Sequence, residues 1–401
     1  MLAAQLKLKD LLSAYYSDLT SPVAWCTSAG PAEILRALGF KIYFPENHGA
    51  LLGASHTAER YIPRAHQMGY HGEICSYLTA DIGAWVMHET PLTRAYGLET
   101  VPPPDLIVYN TNQCREVAEW FNFYADQYHC PIFGIYPPRY LETVTEAHIL
   151  DVVTQFEDLI ALGEKVIGQT LSEAQLVNTL RLSSQASSLW KAVLGSAKRR
   201  PAPLSFFDGT ILMAPIVIMR GTVECVNYYQ ETLAELNTLG AGSAAVPGES
   251  IRLYWEGMPI WGRLRRLSEF FKENQTAVVA STYCNSWVFD QFDTDNPLES
   301  MAWAYTQIFI NRGEQYKLKA MIEIMAEFQV DGVVFHDSKT CFNNSNNRFG
   351  LPRKLSEQTP YAAVTIDGDL NDMRFLSDGQ MLTKLETFIE QLKSRKTAVV
   401  K

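Results

Sequence analysis

No apolar stretch in this chain of 401 residues approaches the ~20 residues needed to span a bilayer. The opening segment, Met1 to Thr20, mixes Lys7, Lys9, Asp10 and Asp18 among its leucines, which does not read as a signal peptide. A cytoplasmic protein with no membrane partner is therefore expected. Basic charge is also scarce. The 34 Lys and Arg against 44 Asp and Glu leave a net charge of −10, so no general basic field is available to bind nucleic acid. The one dense basic run, Lys198-Arg199-Arg200, meets Pro201 at once and reads as a helix end. Familiar catalytic signatures are missing too. There is no G-x-x-x-x-G-K-[ST] loop to hold ATP phosphates, no H-E-x-x-H and no G-x-S-x-G elbow. No C-x-x-C pair occurs, and no G-x-G-x-x-G follows the first apolar run.

What is present is the balance of a folded protein, 47% hydrophobic and 19% charged. Its pattern is duplicated. Val23 to Cys26 reads as a buried strand, Gly30 to Gly39 as a helix with an early proline, and Phe40 to Phe44 as a second strand stopped by Pro45. Ile251 to Trp255, Met258 to Asn274 and Ala277 to Ser281 repeat that strand–helix–strand unit. Further on, Asp105 to Tyr109 leads through polar residues to Cys114, and Asp331 to Phe335 leads through polar residues to Cys341. Each cysteine precedes a helical stretch and another apolar run, Pro131 to Tyr136 or Tyr361 to Ile366. Continuous apolar runs alternating with helices indicate parallel strands covered on both faces. The expected fold is α/β, two related Rossmann-like parallel-sheet domains with a helical segment between or beside them. The boundaries read as 1–141 for the N-terminal α/β domain, 142–240 for the mainly helical segment and 241–401 for the C-terminal α/β domain.

The seven cysteines carry the chemical signal. In a reduced compartment they are not expected to form a disulfide framework. Cys26, Cys114, Cys284 and Cys341 fall at or just past the carboxyl ends of expected strands, where open α/β sheets gather ligands. Converging thiolates suit a soft metal or an iron–sulfur cluster, whereas isolated thiols behave as small hydrophobes in a core. These residues alone leave both readings open.

In order and spacing, several segments resemble the subunits of 2-hydroxyacyl-CoA dehydratases and ATP-dependent benzoyl-CoA reductases. They are Phe44 to Ala50, Glu73 to Tyr77 with Asp81 to Gly83, Asn112 to Cys114, Asp331 to Val334, Ser338 to Cys341, and Asp369 to Arg374 leading to Ser377 to Gln380. The resemblance extends over nearly the whole chain. It implies that Cys75, Cys114 and Cys341 bind a 4Fe–4S cluster through three of its irons, with Cys75 on a loop before a helix. Cys26 and Cys284 remain reserve ligands, while Cys130 and Cys225 read as core. It also implies radical chemistry on an acyl-CoA thioester, driven by one low-potential electron. That electron comes from a separate ATP-hydrolysing iron–sulfur activator. A related second subunit, in a heterodimer or higher assembly, is the expected partner, with a second copy of the chain as the alternative. Aryl-CoA reduction and 2-hydroxyacyl-CoA dehydration, an oxidoreductase and a lyase reaction of anaerobic metabolism, are not distinguished. A non-catalytic electron-relay or structural subunit carrying the cluster is the second reading, and a thiol-rich binding protein without a cluster the third.

His48, on a loop after a strand, reads as a proton or hydrogen-bond donor to the thioester, or as a plain loop cap. Trp255, Trp261 and Trp287 flank strand ends and read as an apolar acyl pocket or as packing. Glu256 and Arg220 are candidate substrate contacts by position. Asp367, Asp369 and Asp372 read as a metal site or as turn and cap chemistry.

Overall fold

The structure is a computed structural model that describes residues 2–240, 242–343, 345 and 350–399. Its first sheet contains β1 (Val23–Cys26), β2 (Lys41–Tyr43), β3 (Leu106–Asn110) and β4 (Ile132–Ile135). The second contains β5 (Ile251–Glu256), β6 (Thr276–Ser281), β7 (Gly332–Ser338) and β8 (Ala362–Gly368). All pairings are parallel. The strand orders, β2-β1-β3-β4 and β6-β5-β7-β8, are the same permutation, so the repeat in the sequence is a repeat of topology. The fold is α/β with two Rossmann-like sheets, as expected.

Burial explains the unbroken apolar runs. Every residue of β1, β3, β5 and β6 is buried, because helices cover both faces of a parallel sheet. The edge strands β4 and β8 are mostly half-buried. After β1, the helix Ala32–Ala37 stops before Gly39, whose φ of +98° suits a residue without a Cβ. One expectation fails here. The helix expected from Met258 begins only at Leu264, after a 3-10 turn at Trp261–Arg263. Pro259 disfavours helical geometry at Met258, and the Met258 carbonyl is engaged by Trp255 Nε1 and His336 Nδ1.

Between the sheets in sequence lie the helices Glu146–Ile167, Glu173–Gly195, Phe206–Leu212, Ala214–Ile218 and Val223–Thr238. They are tied to both halves. Ser183 Oγ donates to Glu33 (2.7 Å) beside β1, and Trp190 Nε1 donates to the Cys284 carbonyl (3.0 Å) beyond β6. One contiguous apolar core runs through both sheets and these helices. Among the described residues no helix is long and apolar enough to cross a membrane.

Candidate functional site

In each sheet the chain reverses its direction of growth between the first and third strands. Loops leaving the carboxyl ends part at such a switch point and leave a crevice. Here both crevices open into one cavity. Ser28 and Ala29 reach it from beyond β1, Glu46 and Ala50 from beyond β2, and Gln113 and Cys114 from beyond β3. Gly257, Tyr283, Cys341 and Leu370 reach it from beyond β5, β6, β7 and β8. The duplicated topology therefore builds the site from both halves of the chain.

Cys75, Cys114 and Cys341 all line this cavity. Cys75 comes from the connection between β2 and β3, where it caps the N-terminus of the helix Ser76–Val86. Cys114 lies just before the helix Glu116–Tyr128. Burial pushes the Cys75 thiol well up and the Cys114 thiol up to about 12. The Leu78 and Val117 amides, at helix starts where dipoles favour negative charge, pull the other way. Desolvation wins, so both groups stay protonated without a neighbouring cation. Among the described residues no three His, Cys, Asp or Glu side chains are grouped closely enough to hold a single metal ion.

The cysteine-bearing loops are held by Asp369, which is fully buried. It accepts from the Thr340 amide (2.8 Å) and hydroxyl (2.7 Å), one residue before Cys341, and from the Ser76 hydroxyl, one residue after Cys75. Thr340 Oγ1 in turn accepts from the Ser76 amide (3.0 Å). Asp369 also receives the Asn371 and Asp372 amides (3.1 and 2.9 Å). Turn and cap chemistry thus accounts for Asp369. Asp367 pairs with Lys339 and Lys384, both at 2.9 Å, and Asp372 with Arg374.

Three further polar groups face the cavity. Glu46 accepts the Ser28 amide, yet burial raises its carboxyl to about 7. Glu116 is likewise raised by burial to about 7, against the pull of the Cys75 amide. Trp287 is buried with its indole N–H unpartnered, an orphan donor that calls for a ligand or water. Glu46 lies within the segment Phe44 to Ala50, and Glu116 lies outside every segment that carries the resemblance. Their raised carboxyls are products of burial, which no local pattern announces.

Of the three tryptophans expected at a pocket, the structure brings Trp287 to the cysteine cavity. Trp255 is fully buried within β5 and stacks on Phe206 at 5.2 Å, and its N–H is engaged by Met258. It is core. Trp261 lines an adjoining cavity and donates to the Tyr77 hydroxyl. Cys26, Cys225 and Cys284 are buried apart from the cysteine cavity, and Cys130 precedes β4 at the opposite end of the sheet. Arg220 is wholly buried and engaged by Glu33 (3.1 Å), the Gly30 and Val217 carbonyls (2.6 Å each) and Tyr305, so it is a structural cation. Glu256 accepts from Thr282 behind the cavity wall.

His48 is not on a loop. Pro45 starts the helix Pro45–Ala54 and carries His48 inward, where Nδ1 meets Asp81 and Nε2 meets the Thr90 hydroxyl at 2.8 Å. Both ring nitrogens are engaged, and the side chain is not among those lining the cysteine cavity. Asp81 also accepts from Trp120 Nε1 (2.9 Å) and Tyr124. His48→Ala would leave this buried carboxyl short of a partner, so about 2–4 kcal/mol of unfolding free energy should be lost. Urea titration of the purified variant measures this, and a loss below about 0.5 kcal/mol would contradict the buried-pair role.

A sequence profile for "2-hydroxyglutaryl-CoA dehydratase, D-component" matches residues 27–392. The chain is 27% identical to the (R)-phenyllactyl-CoA dehydratase alpha subunit of Clostridium sporogenes, over 94% of this chain and 91% of that protein. It is 27% identical to the lactoyl-CoA dehydratase alpha subunit of Anaerotignum propionicum, over 94% and 92%. Identity to one of the subunits of the benzoyl-CoA reductase of Thauera aromatica is 25%, over 98% of this chain and 96% of that one.

Proposed function

The chain belongs to the 2-hydroxyglutaryl-CoA dehydratase D-component family, and from that premise we propose that it is the iron–sulfur subunit of an acyl-CoA-processing radical enzyme. The reaction is of the 2-hydroxyacyl-CoA dehydratase or benzoyl-CoA reductase type. The observation that carries this reading is the arrival of Cys75, Cys114 and Cys341 at one cavity from three separate connections. The donor set fits a 4Fe–4S cluster: it is soft, all sulfur, and drawn from three separate connections to one cavity. When bound, such a cluster supplies one-electron transfer and one iron not tied to a cysteine.

The protein's own groups then have distinct tasks. The Leu78 and Val117 amides offset part of the cost of holding thiolates away from water. Asp369 fixes the Cys75 and Cys341 loops relative to each other. Val117, Ile308 and Leu370 line the cavity with apolar surface and exclude water. Glu46, with its carboxyl near neutrality, holds a proton at the wall that it can give to or take from a bound thioester. Trp287 Nε1 offers a hydrogen bond into the same space.

Relatives named as alpha subunits support a related second subunit as partner, and the whole assembly would work in the cytoplasm. Anaerobic purification with that partner, followed by iron and sulfide assay, tests the reading. An EPR spectrum changed by acyl-CoA supports a catalytic cluster, and an unchanged one assigns the chain to electron relay. Because the chain has no phosphate loop, it should hydrolyse no ATP alone. Turnover should become ATP-dependent only when a separate iron–sulfur activator is added. Stoichiometric ATP hydrolysis by the isolated chain would overturn that division of labour.

A further inference from the structure

A second cavity adjoins the cysteine cavity, and the two share Asn47, Ala50 and Tyr283. Asn47 and Ala50 lie three residues apart on the helix Pro45–Ala54 and so occupy one face. The rest of the partition is aromatic. Tyr77 on the cysteine side receives the N–H of Trp261 on the far side, and Trp261 meets Tyr283 edge-on at 6.1 Å. Ala50 is the smallest side chain in this wall. The space beyond measures about 150 Å³, the size of apolar cavity that takes up a benzene-sized ligand (~150 Å³). Leu12, Met213, Val217 and Ile218 give it an apolar lining.

Charge narrows the occupant. Among the described residues no Lys, Arg or His lines either cavity. Arg220, the buried cation that acts on Glu46 from a distance, is already engaged by Glu33, Tyr305 and two carbonyls. A second carboxylate on the acyl group would enter apolar surroundings unpaired, which is strongly unfavourable.

We propose that this second cavity receives the acyl side chain of the substrate, that it selects uncharged apolar groups up to about the size of a benzene ring, and that Ala50 sets the width of the passage. The proposal rests on the reading that a CoA thioester binds in the cysteine cavity. Each methylene buried there should add about fourfold in affinity. Calorimetric titration of the anaerobic complex with acetyl-CoA, 4-methylpentanoyl-CoA and glutaryl-CoA provides the test. The branched thioester, with four more carbons, should bind roughly 250-fold more tightly than acetyl-CoA, and glutaryl-CoA should gain nothing over acetyl-CoA. Ala50→Phe should collapse that roughly 250-fold ratio to about threefold or less, with Ala50→Val intermediate, because added bulk narrows the passage. Glutaryl-CoA binding as tightly as the branched thioester would overturn the proposal. So would a chain-length preference untouched by both substitutions. If no thioester binds, acetyl-CoA included, the CoA-thioester reading itself falls and this proposal falls with it.

Discussion

Cys114→Ala and Cys341→Ala are each expected to strip most of the iron from the anaerobically purified protein, while Cys130→Ala retains it in full. Each of the first two supplies one of only three protein bonds to the proposed cluster, and both line the cavity. Two remaining thiolates cannot hold a four-iron centre against exchange with solvent. Cys130 is the matched control. It is half-buried like Cys114 and Cys341, but it precedes β4, and the cavity opens at the other end of the parallel strands. Iron and acid-labile sulfide assays on the three variants, with circular dichroism to establish folding, decide the matter. Iron retained in both the Cys114 and Cys341 variants would sink the cluster assignment. Turnover should track iron, because among the described residues no cysteine besides Cys75, Cys114 and Cys341 lines the cavity to take over.

The contrast among the cysteines shows what the sequence discloses. Cys114 and Cys341 were legible because each follows an unbroken apolar strand, and parallel topology directs the residues after a strand to the ligand end. Cys26 satisfied the same rule yet is the last residue of β1, with its sulfur turned into the core. Cys284 satisfied it too, but the short helix Thr282–Asn285 carries it back under Trp190. A strand end gives the neighbourhood of a residue and not its direction. Cys75 lay beyond the rule altogether, since it enters from the long β2–β3 connection as a helix cap, and only the family resemblance pointed to it. His48 reads as a loop residue for a related reason. A proline after a strand reads as a stop, but Pro45 occupies the first helical turn, where its fixed φ is favourable. The partner that claims the histidine, Asp81, is a long-range one. Trp255 and Trp287 look alike in sequence, and only packing separates a core ring from one whose N–H is left facing a cavity.

Glu46→Gln should lower turnover by about 10²–10⁴-fold, the range typical of a lost acid–base group, while leaving iron content unchanged. The side chain lines the cysteine cavity, and burial lifts its carboxyl from 4.5 to about 7. It therefore changes protonation where the enzyme would operate, and the wild-type rate should show a limb near pH 7 that Glu46→Gln abolishes. Stability should move in the opposite sense. A carboxyl whose folded value lies above its unfolded value makes the native state the stronger proton binder between about pH 4.5 and 7. Unfolding free energy then falls as pH rises through that window, and the deficit stays constant above it. Glutamine carries no charge to desolvate, so Glu46→Gln should be more stable than wild type above pH 7 by about 1–3 kcal/mol, with the difference vanishing below pH 4.5. A variant that is less active, more stable at alkaline pH and fully loaded with iron is the signature of an acid–base group held at a functional pKa at the expense of the fold. Normal turnover with the pH 7 limb intact would remove Glu46 from the chemistry and leave it as a buried contact to the Ser28 amide.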